Sequence, residues 1–494
     1  MRQREQHQLR SNAMGLNSLV FMVVATVGPM AAYMGAAPLV FAQIGAGAAG
    51  AYVLATALFA VFSAGYVAMS RNSGTAGGFV VFIAQAMGRR AGLAASYVTL
   101  LTYGAFVGAL YGAYAVFLQQ TAQQFFNLDL HWAVWALATA ALIGVLTYNR
   151  VEFSARAMGV LLIAAVSAVL ILDVAIIADG VAGGGTELSL AAFSPGNIFG
   201  EGFGLAFLFA LASFGGFEST VVFSEEVRRP KVTIPRGTYI ALLILGLFYA
   251  VSTWALGNAV GNTNVQAAAA EDPTGFVFAV AAHYVAPFWA DLLSILVVTS
   301  FFAVLLGFSN VFSRYIFALA RAEALPEVLS HTHPKHQSPH TASIAATATA
   351  VSIIIVFLVT GADPFATLYT WLLALGTVGI LTLICITSLA AFLFFRKIPS
   401  DEGRWSTIIA PLISFAAFGA VIYLALTHYD LLAGQGIGQL LWVLIPLVAL
   451  LGYLVATIRG DDKFDFSDLE STATEVPVPT PAPRDNATHE REIS

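Results

Sequence analysis

Residues 203–235 read FGLAFLFALASFGGFESTVVFSEEVRRPKVTIP. The stretch opens as an uninterrupted apolar helix, meets Gly215 and Gly216, carries one carboxylate at Glu218, resumes as apolar helix and leaves through a basic loop. Glycine inside a helix costs about 1 kcal/mol relative to alanine, and lipid offers no water to backbone groups that a break would loosen. Such a break is tolerable only beside protein or a wet cavity. A glutamate near the bilayer centre costs about 2.5–3.5 kcal/mol on insertion scales, so it turns toward the bundle interior and is a functional-site candidate. A second reading stays open: the glycine pair lets a neighbouring helix approach closely, with Glu218 hydrogen-bonded for structure.

The rest of the chain is built for the same solvent. Of its 494 residues 58% are hydrophobic and 10% charged, and mean hydropathy is +0.80. Soluble domains hold about 45–50% apolar residues, so this is an all-α polytopic membrane protein. Apolar runs near 20 residues, enough to cross about 30 Å of hydrocarbon, recur from end to end. The single cysteine, Cys385, lies in one of them and excludes a disulfide within the chain. The net charge of −6 sits mostly in loops and tails and says nothing about a substrate.

The first apolar run, 14–42, is longer than the roughly 7–15 residues of a signal peptide's apolar region and reads as a retained span. Hydropathy places eleven more at roughly 50–70, 92–119, 131–148, 157–178, 201–224, 237–259, 288–310, 341–360, 365–395, 406–427 and 439–458. Charge tests this count, because lysine and arginine in short loops stay on the cytoplasmic side. All 22 of them fall before the first span or after an even-numbered one, from Arg2, Arg4 and Arg10 through the Arg228, Arg229, Lys231 and Arg236 group to Arg459 and beyond. The odd-numbered junctions hold acids such as Asp129, Glu187, Glu271, Asp272, Asp363 and Asp430 but no lysine or arginine. Twelve transmembrane helices with both termini cytoplasmic are therefore expected. Residues 1–13 are read as a cytoplasmic tail, and 461–494, acidic and then rich in Pro, Thr and Ala, as a disordered one. The sequon at Asn486 lies on that inner side, away from glycosylation.

The first span carries a second break. In VVATVGPMAAYMGAAP, Pro29 has no N–H and clashes with the preceding turn, and Gly28 adds freedom, so helical pairing fails near mid-span. The half-helix that follows offers N–H groups from Met30 through Ala31 and Ala32 to Tyr33, with the positive end of its dipole, to a carboxylate. An ordinary proline kink is the competing reading. The breaks fall in spans one and six, the same place in two five-span halves of opposite orientation. Interrupted spans at matching places in inverted repeats point to a transporter's substrate site.

Several motifs now resemble one family. SFGGFES at 213–219, followed by Glu225, Glu226, Pro230 and Ile234-Pro235-Arg236, is similar to the sixth span and following loop of the amino acid-polyamine-organocation permeases. The segment 310–339, with Ser313-Arg314, Ala320-Arg321, Leu325-Pro326 and His333-Pro334-Lys335-His336, resembles that family's loop after span eight, and 72–79 its glycine pair after span two. The resemblance covers about residues 14–460. It implies a leucine-transporter-like fold in which 14–200 and 201–400 are inverted repeats, 401–460 adds two helices, and the ligand sits between spans one and six. The family's small-residue turn in span one falls on Ala31, Ala32 and Tyr33, with tyrosine where glycine is usual. Phe214 is implied as an aromatic gate and Glu218 as a proton-sensing carboxylate. The span-five lysine of proton-coupled relatives is absent from 159–169.

The substrate-binding set expected is Gly28, Pro29, Met30, Ala31, Ala32, Tyr33, Tyr103, Ser213, Phe214, Gly215 and Gly216, with coupling at Glu218, Thr299 and Ser300. Thr299 and Ser300 could lend hydroxyls to sodium, or bond back to their own helix. Tyr103 either faces the cavity or packs in the bundle. His331, His333, His336 and His340 lack a paired carboxylate or cysteine and are not read as a metal site. Asp173 and His283 are placed near the outer ends of their helices, without a role. No cofactor, metal or nucleic-acid partner is expected, and no HExxH or GxSxG motif suggests an enzyme. The functional expectation is secondary transport of an amino acid or amine across the plasma membrane, coupled to H+ or Na+ or run as exchange. A transporter-like sensor is the competing class.

Overall fold

The computed structural model describes residues 15–72, 78–149, 155–218, 220, 227–321, 323–333, 338–429 and 437–459. Both predicted tails and residues 73–77, 219 and 221–226 lie outside these. Among the described residues every element is helical. In chain order they are α1 (Leu16–Val27), α2 (Pro29–Ile44), α3 (Ala48–Asn72), α4 (Phe79–Met87), α5 (Arg89–Phe126), α6 (Trp132–Tyr148), α7 (Ala155–Ala182) and α8 (Phe203–Ala212). The second half holds α9 (Pro230–Val260), α10 (Val265–Glu271), α11 (Phe276–Tyr284), α12 (Pro287–Arg321), α13 (His340–Val359), α14 (Thr370–Lys397), α15 (Ala410–Thr427) and α16 (Leu444–Arg459).

By length and composition, nine helical stretches among the described residues can cross a membrane. One of them, Pro29–Asn72, is 44 residues long. It is not a single rod, for Gly45 turns the chain with φ 52 and ψ −127 between α2 and α3. Three shorter apolar helices, α1, α6 and α8, join them.

Burial separates an inner from an outer layer. The apolar windows of α5 and of Pro364–Lys397 are 72% and 67% buried, against 28% for α13 and 17% for Gly438–Ile458. The inner helices pack on one another, α2 on α8, α3 on α9, and α5 on both α12 and α14. The outer ones turn Val174, Val356, Val359, Leu447 and Ile458 outward, apolar side chains that lipid rather than water accommodates.

Local chemistry sets the ends. Asp363 accepts the N–H groups of Phe365 and Ala366 at 2.8 and 2.6 Å, capping the π-helical turn Pro364–Tyr369 that leads into α14. Asn127, at φ 53, closes α5. His333 and His340 pack edge-on against Tyr148 at 5.3 and 5.7 Å, while His336 lies outside the described residues.

Candidate functional site

The first break lies where the glycine–proline pair puts it. Gly28 leaves the helix at φ 64 and ψ 67 and donates its N–H to the Val24 carbonyl at 3.1 Å, closing α1. Pro29 then opens α2 at the first helical position, where its missing N–H costs nothing. The expected row of free donors is shorter than Met30 to Tyr33. The Ala32 N–H already donates to the Gly28 carbonyl at 3.1 Å, and Tyr33 lies a residue further into the helix. The open donors are those of Met30 and Ala31, which have no carbonyl one turn behind them.

The second break follows α8. From Ser213 to Glu218 the chain runs as tight turns, with Gly215 N–H on the Ala212 carbonyl at 2.9 Å and Phe217 N–H on the Phe214 carbonyl at 3.1 Å. Gly216 takes φ 103, a backbone that side chains rarely adopt. Glu218, 6% exposed, folds back on this turn: one carboxylate oxygen accepts the Gly216 N–H at 3.0 Å and the other the Tyr103 hydroxyl at 3.1 Å. The Tyr66 hydroxyl donates to the Glu218 carbonyl at 3.4 Å. The carboxylate thus ties the broken helix to α5. In Glu218→Gln one of the two donors faces an amide NH2, and we expect stability to fall by about 1–3 kcal/mol. A melting temperature equal to that of the unsubstituted protein would show that the turn is held by something else.

Between the two breaks lies a cavity of about 50 Å³. Ala31, Ala32 and Ala36 of α2 line it, with Ser213 and Gly215 from the second break and Phe106 and Leu110 from α5. Phe301, Val304 and Phe308 of α12 and Tyr369 and Leu373 close it. Among the described residues no charged side chain lines it. Its polar surface comes from the two helix breaks, the Ser213 hydroxyl and Tyr369, whose hydroxyl meets no hydrogen-bond partner among the described residues. Ser213 is held from behind: its carbonyl accepts the Tyr249 hydroxyl at 2.8 Å, and its own hydroxyl lies 3.0 Å from that of Tyr52.

Of the expected residues, Ala31, Ala32, Ser213 and Gly215 line the cavity, and Gly28, Pro29 and Gly216 shape the backbone around it. Phe214 is not a gate over it. Its ring packs at 5.3 Å on both Phe59 and Tyr249, between α3 and α9. Tyr33 faces away as well, donating toward the Ser252 carbonyl at 3.5 Å and meeting Phe248 edge-on at 6.0 Å. Ala31, Ala32 and Ala36 of the same helix line the cavity while the Tyr33 ring is taken up by these contacts with α9. Met30, 1% exposed, does not line the cavity, and Tyr103 serves Glu218 instead. Thr299 donates to the Leu296 carbonyl of its own helix at 2.9 Å, and neither it nor Ser300 reaches the cavity. Sequence reading missed Phe106, Phe301, Phe308 and Tyr369. The spacing 301, 304, 308 is a helical stripe, but apolar stripes occur on every side of these helices.

Beyond the cavity, an aromatic plug separates it from a wider bowl. Phe117 stacks on Phe301 at 5.3 Å and meets Phe365 edge-on at 6.2 Å, and Phe365 lies 4.9 Å from Tyr369. The bowl, about 860 Å³, is lined by Gln120, Gln124, Asp129, Glu271 and Asp363 among others, and by no lysine or arginine among the described residues.

The sequence pattern of one protein family, described as amino acid permease, matches residues 14–451. No curated protein matches the chain.

Proposed function

The chain belongs to the amino acid permease family, the match spanning residues 14–451, and from that premise we propose that it moves a small neutral amino acid across the plasma membrane by alternating access. In this reading twelve spans cross the membrane with both termini inside; 14–200 and 201–400 are inverted repeats, 401–460 adds two helices, and the acidic bowl opens outward. The observation that carries it is the pair of facing helix breaks around a cavity without a charged side chain. A zwitterion's carboxylate suits the open N–H of Ala31 at the positive end of α2. Its ammonium suits the carbonyls of the second turn and the Ser213 and Tyr369 hydroxyls. A second positive charge, as on a polyamine or a basic amino acid, would meet apolar walls at a cost of several kcal/mol.

The cavity limits size as well. At about 50 Å³ it holds a few waters, each needing roughly 10–15 Å³, so the arrangement described is closed and widens to admit substrate. The wall residues that face the substrate's side chain, Phe106, Val304 and Leu373, select by volume.

Uptake by proteoliposomes of a panel of radiolabelled amino acids and amines tests this. Saturable uptake of glycine, alanine, serine or valine over lysine and putrescine is expected. Preference for the cations would overturn the substrate class, and binding without flux would favour a sensor. Tyr369→Phe removes the one phenol at the wall, so we expect about a tenfold rise in KM with melting temperature unchanged. An unchanged KM would take that hydroxyl out of the site.

A further inference from the structure

One buried carboxyl is left over by the site above. Asp173 on α7 is 2% exposed, and does not lie at a helix end as its sequence position suggests. It is nine residues, about 14 Å, from the end of α7 at Ala182 and about 27 Å from the other end. Its Oδ2 accepts the Ser252 hydroxyl of α9 at 2.6 Å, while Oδ1 is buried with no hydrogen-bond partner among the described residues. The Tyr33 hydroxyl of α2 reaches the Ser252 carbonyl at 3.5 Å.

Among the described residues the surroundings hold no countercharge. The elements packed on α7 are α1, α2, α9, α11 and α12. Helix α1 carries no titratable residue and α2 only Tyr33. On α9, Tyr249 and Tyr239 are neutral phenols, and Lys231 and Arg236 stand at least sixteen residues from Ser252, about 24 Å along the axis. On α11, His283 is exposed and Tyr284 bonds to Thr186 and Ala259. On α12, Asp291 is bonded to Gln124 near one end, and Arg314, Tyr315 and Arg321 lie toward the other. An ionised carboxylate in such a place is costly unless paired. Both neighbouring hydroxyls are used as donors, an arrangement that suits a carboxyl exchanging one proton better than a metal cage.

Its position couples it to the substrate site. Helix α2 presents Ala32 and Ala36 to the cavity and Tyr33, on its far side, to Ser252 and Asp173. Glu218 is a weaker choice for the same task, since both its oxygens are already held, one by the Gly216 N–H and the other by the Tyr103 hydroxyl of α5. Resting on the transport reading above, we propose that Asp173 is the proton-carrying carboxyl of the cycle. It is neutral in the closed arrangement and ionises when movement of α2 and α9 admits water to Oδ1. A proton from outside water forms the O–H bond on Asp173, which neutralises the carboxylate and allows α2, through Tyr33, to close against α9. When the site opens inward the O–H bond breaks and the proton passes to cytoplasmic water, one for each substrate molecule.

The test uses the full chain in proteoliposomes that enclose a pH-sensitive dye, sodium-free in one arm and with an inward sodium gradient in a parallel arm, with a mixture of radiolabelled glycine, alanine, serine and valine as probe. The unsubstituted protein is expected to acidify the lumen as it takes up the mixture, and an inward gradient of one pH unit to drive about tenfold accumulation. Asp173→Asn is expected to lose gradient-driven accumulation while keeping exchange of internal for external amino acid, and Asp173→Glu to restore it. Glu218→Gln is expected to keep its response to the gradient at reduced rate. Uptake without acidification, uptake driven by a sodium gradient instead, or wild-type accumulation by Asp173→Asn would overturn the proposal and leave the transport reading standing. Should Asp173→Asn not fold, the dye signal of the unsubstituted protein and the Ser252→Ala variant decide, since Ser252→Ala is expected to move the pH midpoint of uptake while keeping exchange. An unmoved midpoint in Ser252→Ala overturns it. Failure of every probe to enter the vesicles overturns the transport reading, and the coupling with it.

Discussion

Gly215→Leu is expected to lose uptake altogether while the protein stays folded. A Cβ built on Gly215 has one close neighbour, the Ala212 carbonyl at 3.2 Å, and beyond it the side chain enters the cavity. Four added carbons fill most of a cavity of about 50 Å³ and occupy the space a substrate would take. Filling an apolar void is neutral or stabilising, by about 0.5–2 kcal/mol where the fit is good. Lost flux with an unchanged or raised melting temperature therefore separates a blocked site from a damaged fold. Gly215→Ala, one carbon larger, is expected to retain part of the uptake. Uptake by the leucine variant at the unsubstituted rate would remove this cavity from the route, and the permease reading of the two breaks with it.

A second large effect is expected at Gly28, of a different kind. Any Cβ there overlaps the Val304 side chain, and the residue sits at φ 64. The left-handed backbone costs a non-glycine residue about 1–2 kcal/mol, and overpacking adds about 1–3 kcal/mol. Gly28→Ala is thus expected to lower stability by about 2–5 kcal/mol and to reduce uptake at least tenfold. Because Val304 also lines the cavity, the displaced side chain narrows it. The double variant Gly28→Ala/Val304→Ala should recover the part due to overlap and retain the backbone cost. Stability of the single variant equal to the unsubstituted protein would mean that α1 and α2 are not separated at this residue.

How far each expectation carried follows from the range of the forces behind it. The breaks at Gly28-Pro29 and Gly215-Gly216 were legible because a missing N–H and a missing Cβ act on the backbone within one turn. Which way Phe214, Tyr33 and Tyr103 point was not, although all three had been expected at the ligand. Phe214 leaves a turn whose direction depends on Glu218 folding back onto Gly216, and Tyr103 is drawn to that same carboxylate from a helix more than a hundred residues away. Asp173 looked peripheral by its place in the chain, yet α7 is long enough to carry it well inside the bundle, against Ser252.

Hydropathy and the placement of basic residues were sufficient for the membrane class and the helical content, and the glycine and proline pairs for the location of both interruptions, since lipid penalises an unpaired backbone group or a stray charge whatever its neighbours are. The cavity and its uncharged wall arise only when α2, α5, α8 and α12 are brought together, and the separate burial of Asp173 only when α7 meets α9. Which of a helix's faces meets a partner is set by the rotation and crossing of packed rods, and an apolar pattern that runs all round each rod leaves that choice to their mutual fit.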